Sequence, residues 1–87
     1  MDRNEALGVV LRKLREDKGL TQLVVADRAS MSSTFVSQVE NARKGLKVST
    51  LFDLCDALGV RASDLMRKVE DEAAKRRPAR SRIDKPR

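Results

Sequence analysis

The chain of 87 residues has no histidine, no tryptophan, no tyrosine, one cysteine and only two aromatic side chains, Phe35 and Phe52. Each absence removes a class of chemistry. Without histidine, imidazole acid–base catalysis and Ser-His-Asp arrangements are closed off. One cysteine and no histidine cannot assemble an ordinary zinc site. The lone Cys55 also excludes an intramolecular disulfide, as suits a reducing compartment. No apolar run approaches the roughly 20 residues that span a membrane, and the opening Met1-Asp2-Arg3-Asn4-Glu5 lacks the basic and apolar regions of a secretory signal. The expectation is a cytoplasmic binding protein with no metal or cofactor, and not an enzyme.

What is present is charge, unevenly placed. Lys plus Arg is 19 and Asp plus Glu is 13, a formal net charge of +6. Residues 75–87 carry Lys75, Arg76, Arg77, Arg80, Arg82, Lys85 and Arg87 against a single acid, Asp84, so the whole excess sits there. Residues 1–74 are neutral but polarised: nine basic and six acidic groups up to residue 48, three basic and six acidic in 49–74. The basic half has the sign that a nucleic acid attracts. The boundary of the folded unit is therefore expected near residue 74, with a flexible basic tail over 75–87, rich in Arg, Pro and Ser.

Apolar residues recur at helical spacing, and no strand pattern competes. Leu7, Val10, Leu11 and Leu14 form one face of a first helix, which Gly19 ends. Thr21 is a good N-cap for a second helix over 22–29, whose Leu23 and Val24 exceed what one buried face requires. Ser32 or Ser33 caps a third, running to about Ala42 with Phe35, Val36 and Val39 inward. Leu51, Leu54, Cys55 and Leu58 mark a fourth, closed by Gly59, and Ser63 is the expected cap of a fifth bearing Leu65, Met66 and Val69. Glu70 to Lys75 are helix formers that extend it, and Pro78 stops it. The fold class is all-α, five short helices in one domain.

Two short helices joined by a tight turn, the second and third, form a helix-turn-helix, which can set its second helix into a DNA major groove. The residues around it add to this: Leu14-Arg15-Glu16-Asp17-Lys18-Gly19-Leu20-Thr21-Gln22, then Ala26, then Met31-Ser32-Ser33-Thr34-Phe35-Val36-Ser37-Gln38-Val39-Glu40-Asn41, then Ala57-Leu58-Gly59-Val60. In order and spacing, across roughly residues 5–69, they resemble the Cro/cI-type (XRE-like, lambda-repressor-like) helix-turn-helix DNA-binding family.

The resemblance implies a lambda-repressor-like domain and assigns roles by position. Ser33, Thr34, Ser37 and Gln38 match groove-facing positions, where Gln38 can pair bidentately with adenine and the Thr34 methyl can meet a thymine methyl. Gln22 matches a phosphate contact at the start of the second helix, and Arg43, Lys44 and Lys47 are candidate phosphate clamps in the following loop. Arg15 and Glu40 match a structural ion pair between the first and third helices. Phe52, Leu65, Met66 and Val69 are candidates for a two-fold dimer seam or for core.

Three departures from the family pattern stand out. Ala42 replaces the usual glycine after the third helix, which suggests a left-handed cap shifted towards Gly45. Lys47 replaces a capping serine, and Leu23 and Val24 replace polar residues. The functional expectation is a homodimeric regulator of transcription that represses from an inverted-repeat operator, its own promoter included. The rivals are a restriction–modification controller and an antitoxin-type module that masks a protein partner.

Overall fold

A computed structural model describes residues 2–75, which form five helices: α1 (Arg3–Asp17), α2 (Gln22–Arg28), α3 (Ser33–Glu40), α4 (Val48–Leu58) and α5 (Ala62–Lys75). There is no strand among the described residues, and none of their helices is long and apolar enough to cross a membrane. Of the expected basic tail, Lys75 is the last residue of α5, and the remainder lies outside the described residues.

Short polar side chains set most of the helix starts. α1 begins before its apolar stripe because Asp2 and Glu5 form a capping box: Glu5 N–H donates to Asp2 Oδ1 at 2.8 Å, and Asp2 N–H donates to Glu5 Oε1 at 2.9 Å. Thr21 Oγ1 accepts from Val24 N–H at 3.1 Å to start α2. Ser32, rather than Ser33, starts α3, its Oγ accepting from Phe35 N–H at 3.0 Å. Lys47 precedes α4 with no side-chain cap bond, as its replacement of serine suggested. Ser63 is not the cap of α5: it lies inside the first turn, where the Arg61 carbonyl already accepts from Leu65 N–H at 3.0 Å.

One closing device ends four helices. In each, a residue with positive φ turns the chain so that its N–H reaches the carbonyl three residues back, and the next N–H reaches five residues back. The pairs are Gly19 to Glu16 with Leu20 to Arg15, Ser30 to Asp27 with Met31 to Ala26, Ala42 to Val39 with Arg43 to Gln38, and Gly59 to Asp56 with Val60 to Cys55. Gly19 and Gly59 take this conformation freely, at φ 69° and 70°. Ser30 and Ala42 adopt it at 58° and 60° despite having a Cβ. The left-handed cap after α3 therefore stays at Ala42 and does not shift to Gly45. Its two closing bonds, 3.1 and 2.7 Å, offset a left-handed penalty of about 1–2 kcal/mol.

The core lies where α1 meets α3 and α5, α2 meets α3 and α4, and α4 meets α5. Leu65, Val25, Val39 and Cys55 are its largest fully enclosed side chains. Burial, with the nearby Asp56 charge, pushes the Cys55 thiol pKa up, so the residue acts as a small core hydrophobe. Ala29, Ala57 and Ala73 are buried in the same core.

Candidate nucleic-acid interface

α3 is divided lengthwise by its sequence. Val36 and Val39 enter the core, with Phe35 packed against it. Thr34, Ser37, Gln38 and Asn41, at i, i+3, i+4 and i+7, form the opposite face. Together with Ser33, Gln22 of α2 and Arg43 beyond α3, they line one groove. Every lining side chain is polar, and Arg43 is the only charged one among them. The closing bond from Arg43 N–H to the Gln38 carbonyl, 2.7 Å, brings that arginine to the groove.

The structure thus gathers the four expected base-reading residues with two of the four expected phosphate contacts, Gln22 and Arg43. Lys44 and Lys47 are exposed but lie outside the groove lining. Asn41 lines the groove too, beyond the expected residues, and its i+7 relation to Thr34 is the sequence signal that marks it as a member of the same face. Its Nδ2 donates to the Ser37 carbonyl at 2.8 Å, which ties it to the helix end.

Behind the groove is the expected ion pair. Arg15 Nε donates to Glu40 Oε2 at 2.7 Å and Nη2 to Oε1 at 3.0 Å, a bidentate geometry. Arg15 Nη1 donates to the Leu20 carbonyl at 2.9 Å, and Gln22 Nε2 to Glu40 Oε1 at 2.9 Å. The Arg15 and Glu40 side chains are 12% and 4% exposed. The hydrogen bond to Glu40 raises the Arg15 pKa, and the charges of Glu40 and Glu16 act in the same direction against the cost of burial. Few surface pairs are worth much, but loss of one partner here leaves a buried charge uncompensated.

On the α4–α5 side, two of the four expected seam residues are core. Leu65 and Val69 are 0% and 2% exposed within the protomer, because their i, i+4 stripe on α5 faces inward. Phe52 and Met66 remain exposed, at 52% and 38%, and Val48, one turn before Phe52, is exposed as well. Leu23 and Val24 of α2 also stand open to solvent, as their surplus over one buried face suggested.

A family model described as a helix-turn-helix domain matches residues 6–68. Among similar proteins, the HTH-type transcriptional regulator y4dJ of Sinorhizobium fredii is 35% identical over 71 residues, 82% of this chain and 92% of that protein. The HTH-type transcriptional repressor RghR of Bacillus subtilis is 35% identical over 66 residues, 75% of this chain and 49% of that one. Among solved structures, the clp gene regulator ClgR from Corynebacterium glutamicum superposes with a TM-score of 0.78 at 32% identity, covering 82% of this chain and 92% of the other. The restriction-modification controller C.AhdI from Aeromonas hydrophila gives 0.70 at 27% identity, with 71% and 94% covered.

Proposed function

This chain belongs to the helix-turn-helix domain family, and from that premise we propose that it regulates transcription as a homodimer, binding an inverted-repeat operator and repressing by obstructing polymerase. The observation that carries the reading is one polar groove that brings Gln22 and Arg43 together with Ser33, Thr34, Ser37 and Gln38. Gln38 and Thr34 read base edges, Ser33 and Ser37 accept or donate to either base type, and Gln22, Arg43, Lys44 and Lys47 hold phosphates. With short side chains and no arginine on the reading face, direct readout is modest, and DNA shape supplies much of the specificity.

Phe52 and Met66 supply the exposed apolar part of a two-fold seam. A dimer sets two recognition helices about 34 Å apart, one turn of DNA, so the two half-sites of the operator repeat at that spacing. Names of relatives such as RghR support repression as the outcome. Selection from a randomised duplex pool tests the reading: recovery of an inverted repeat supports it, and recovery of unrelated sequences with no shared half-site contradicts it.

A second reading is favoured by one observation, Leu23 at 67% exposure on α2. On this reading the α2 surface engages a protein partner, as an antitoxin would. Substituting Leu23→Ser with Val24→Ser then abolishes a stoichiometric complex while leaving operator affinity unchanged.

A further inference from the structure

Gln22 belongs to two structures at once. It lines the groove beside the outward side chains of α3. Its Nε2 also donates at 2.9 Å to Glu40 Oε1, the oxygen that takes Arg15 Nη2 at 3.0 Å. The other Glu40 oxygen takes Arg15 Nε at 2.7 Å, and Arg15 Nη1 reaches the Leu20 carbonyl, two residues before Gln22.

The chemistry of the partners leaves one orientation for the Gln22 amide. An ionised carboxylate only accepts hydrogen bonds, so Nε2 faces Glu40 and the amide oxygen faces away. A phosphate also only accepts, so it can use nothing on this side chain except the second N–H of Nε2. A glutamine free to rotate presents that N–H part of the time and loses rotamer freedom on binding; one already anchored does not. The anchor is itself an anion close to where a phosphate would sit, and would repel it if left bare. Bidentate contact with Arg15 cancels that charge at hydrogen-bond distance.

We propose that Arg15 and Glu40 are positioning residues for the DNA backbone: Glu40 holds the Gln22 amide with its second N–H presented to a phosphate, and Arg15 neutralises the carboxylate behind it. The inference rests on the reading of the groove as the DNA-facing surface and deepens it. It makes the α1–α3 ion pair, beyond its structural part, a component of the binding site that never touches DNA.

The test is a double-mutant cycle on the duplex recovered by selection from a randomised pool. Replacing the pair together, Arg15→Met with Glu40→Met, fills the buried space without leaving a lone charge. Circular dichroism is expected to show a folded protein whose affinity for that duplex has dropped several-fold, no more than Gln22→Ala costs in the wild-type background. Gln22→Ala is expected to cost several-fold in the wild-type background and less than about twofold in the replaced one, because the two sites act as a unit. An equal cost of Gln22→Ala in both backgrounds would overturn the proposal.

Should the replaced protein fail to fold, nitrogen-resolved NMR of the unaltered chain decides. The Gln22 side-chain amide, identified by its disappearance in Gln22→Ala, is expected to keep one slowly exchanging proton with and without duplex, while its other proton shifts when duplex is added. Exchange of both protons as fast as those of Gln38 would overturn the proposal. Failure of the wild-type chain to select any duplex strikes the underlying DNA-binding reading instead, and is seen before any variant is made.

Discussion

Gly8 in α1 lies against the last turn of α3 so closely that a Cβ on it would overlap the Glu40 carbonyl oxygen and stand 2.8 Å from that of Val39. The atoms it would meet are backbone, which cannot step aside as a flexible side chain does. Helix propensity alone favours Gly8→Ala by about 1 kcal/mol. The collision forces α1 and α3 apart, and overpacking of this kind costs about 1–3 kcal/mol, so the second effect is expected to win. Urea denaturation of Gly8→Ala is expected to show a net loss of stability. A gain would mean that the helices are not in this contact.

The two non-glycine caps give the opposite sign. Ser30→Gly and Ala42→Gly each relieve a left-handed penalty of about 1–2 kcal/mol and lose about 0.4–1 kcal/mol to the greater freedom of glycine in the unfolded chain. Each is therefore expected to raise the unfolding free energy in urea denaturation, by a net of up to about 1.6 kcal/mol. Destabilisation by either would contradict positive φ at that residue.

On the α4–α5 surface the proposed two-fold seam and the core make different demands. Phe52→Ala with Met66→Ala is expected to shift a dimer towards monomer in sedimentation equilibrium and to leave the helical circular dichroism intact. Leu65→Ala removes a wholly enclosed side chain and is expected to cost about 2–5 kcal/mol of stability. If the exposed pair can be removed with no change in association, the seam lies elsewhere.

Element order, the Thr21 cap, the helix ends at Gly19 and Gly59, and the pairing of Arg15 with Glu40 are all legible in the sequence, because each rests on a residue type with a strong local preference or on the family pattern. Ala42 is not, because closing hydrogen bonds can outweigh a propensity that disfavours alanine there. Ser63 has the residue type of a cap but lies within α5, which starts one residue before it, because a helix boundary depends on backbone bonds that composition does not reveal. Periodicity identifies the apolar face of Leu65 and Val69 without saying whether core or seam covers it, and burial assigns both to the core. The link from Gln22 to Glu40 spans α2 and α3, and only the fold brings those residues within 2.9 Å.

The basic residues beyond α5 are expected to act through charge alone. Deleting residues 76–87 removes six basic groups and one acid. Counterion release predicts a shallower dependence of log affinity on log salt and an unchanged preference among operator variants. A changed preference would place sequence reading in that segment and contradict the division between domain and tail.

Whether the α3 face, with Gln22 and Arg43, binds DNA is decided by a mobility-shift titration of Gln38→Ala and Arg43→Ala on the selected operator and on an unrelated duplex. Gln38→Ala is expected to lose about 1–3 kcal/mol on the operator and almost nothing on the unrelated duplex, the signature of a base contact. Arg43→Ala is expected to weaken both alike and to lower the salt slope by about one, the signature of a phosphate contact. Unchanged operator affinity in both variants, with the fold intact, would mean that DNA does not bind at this face.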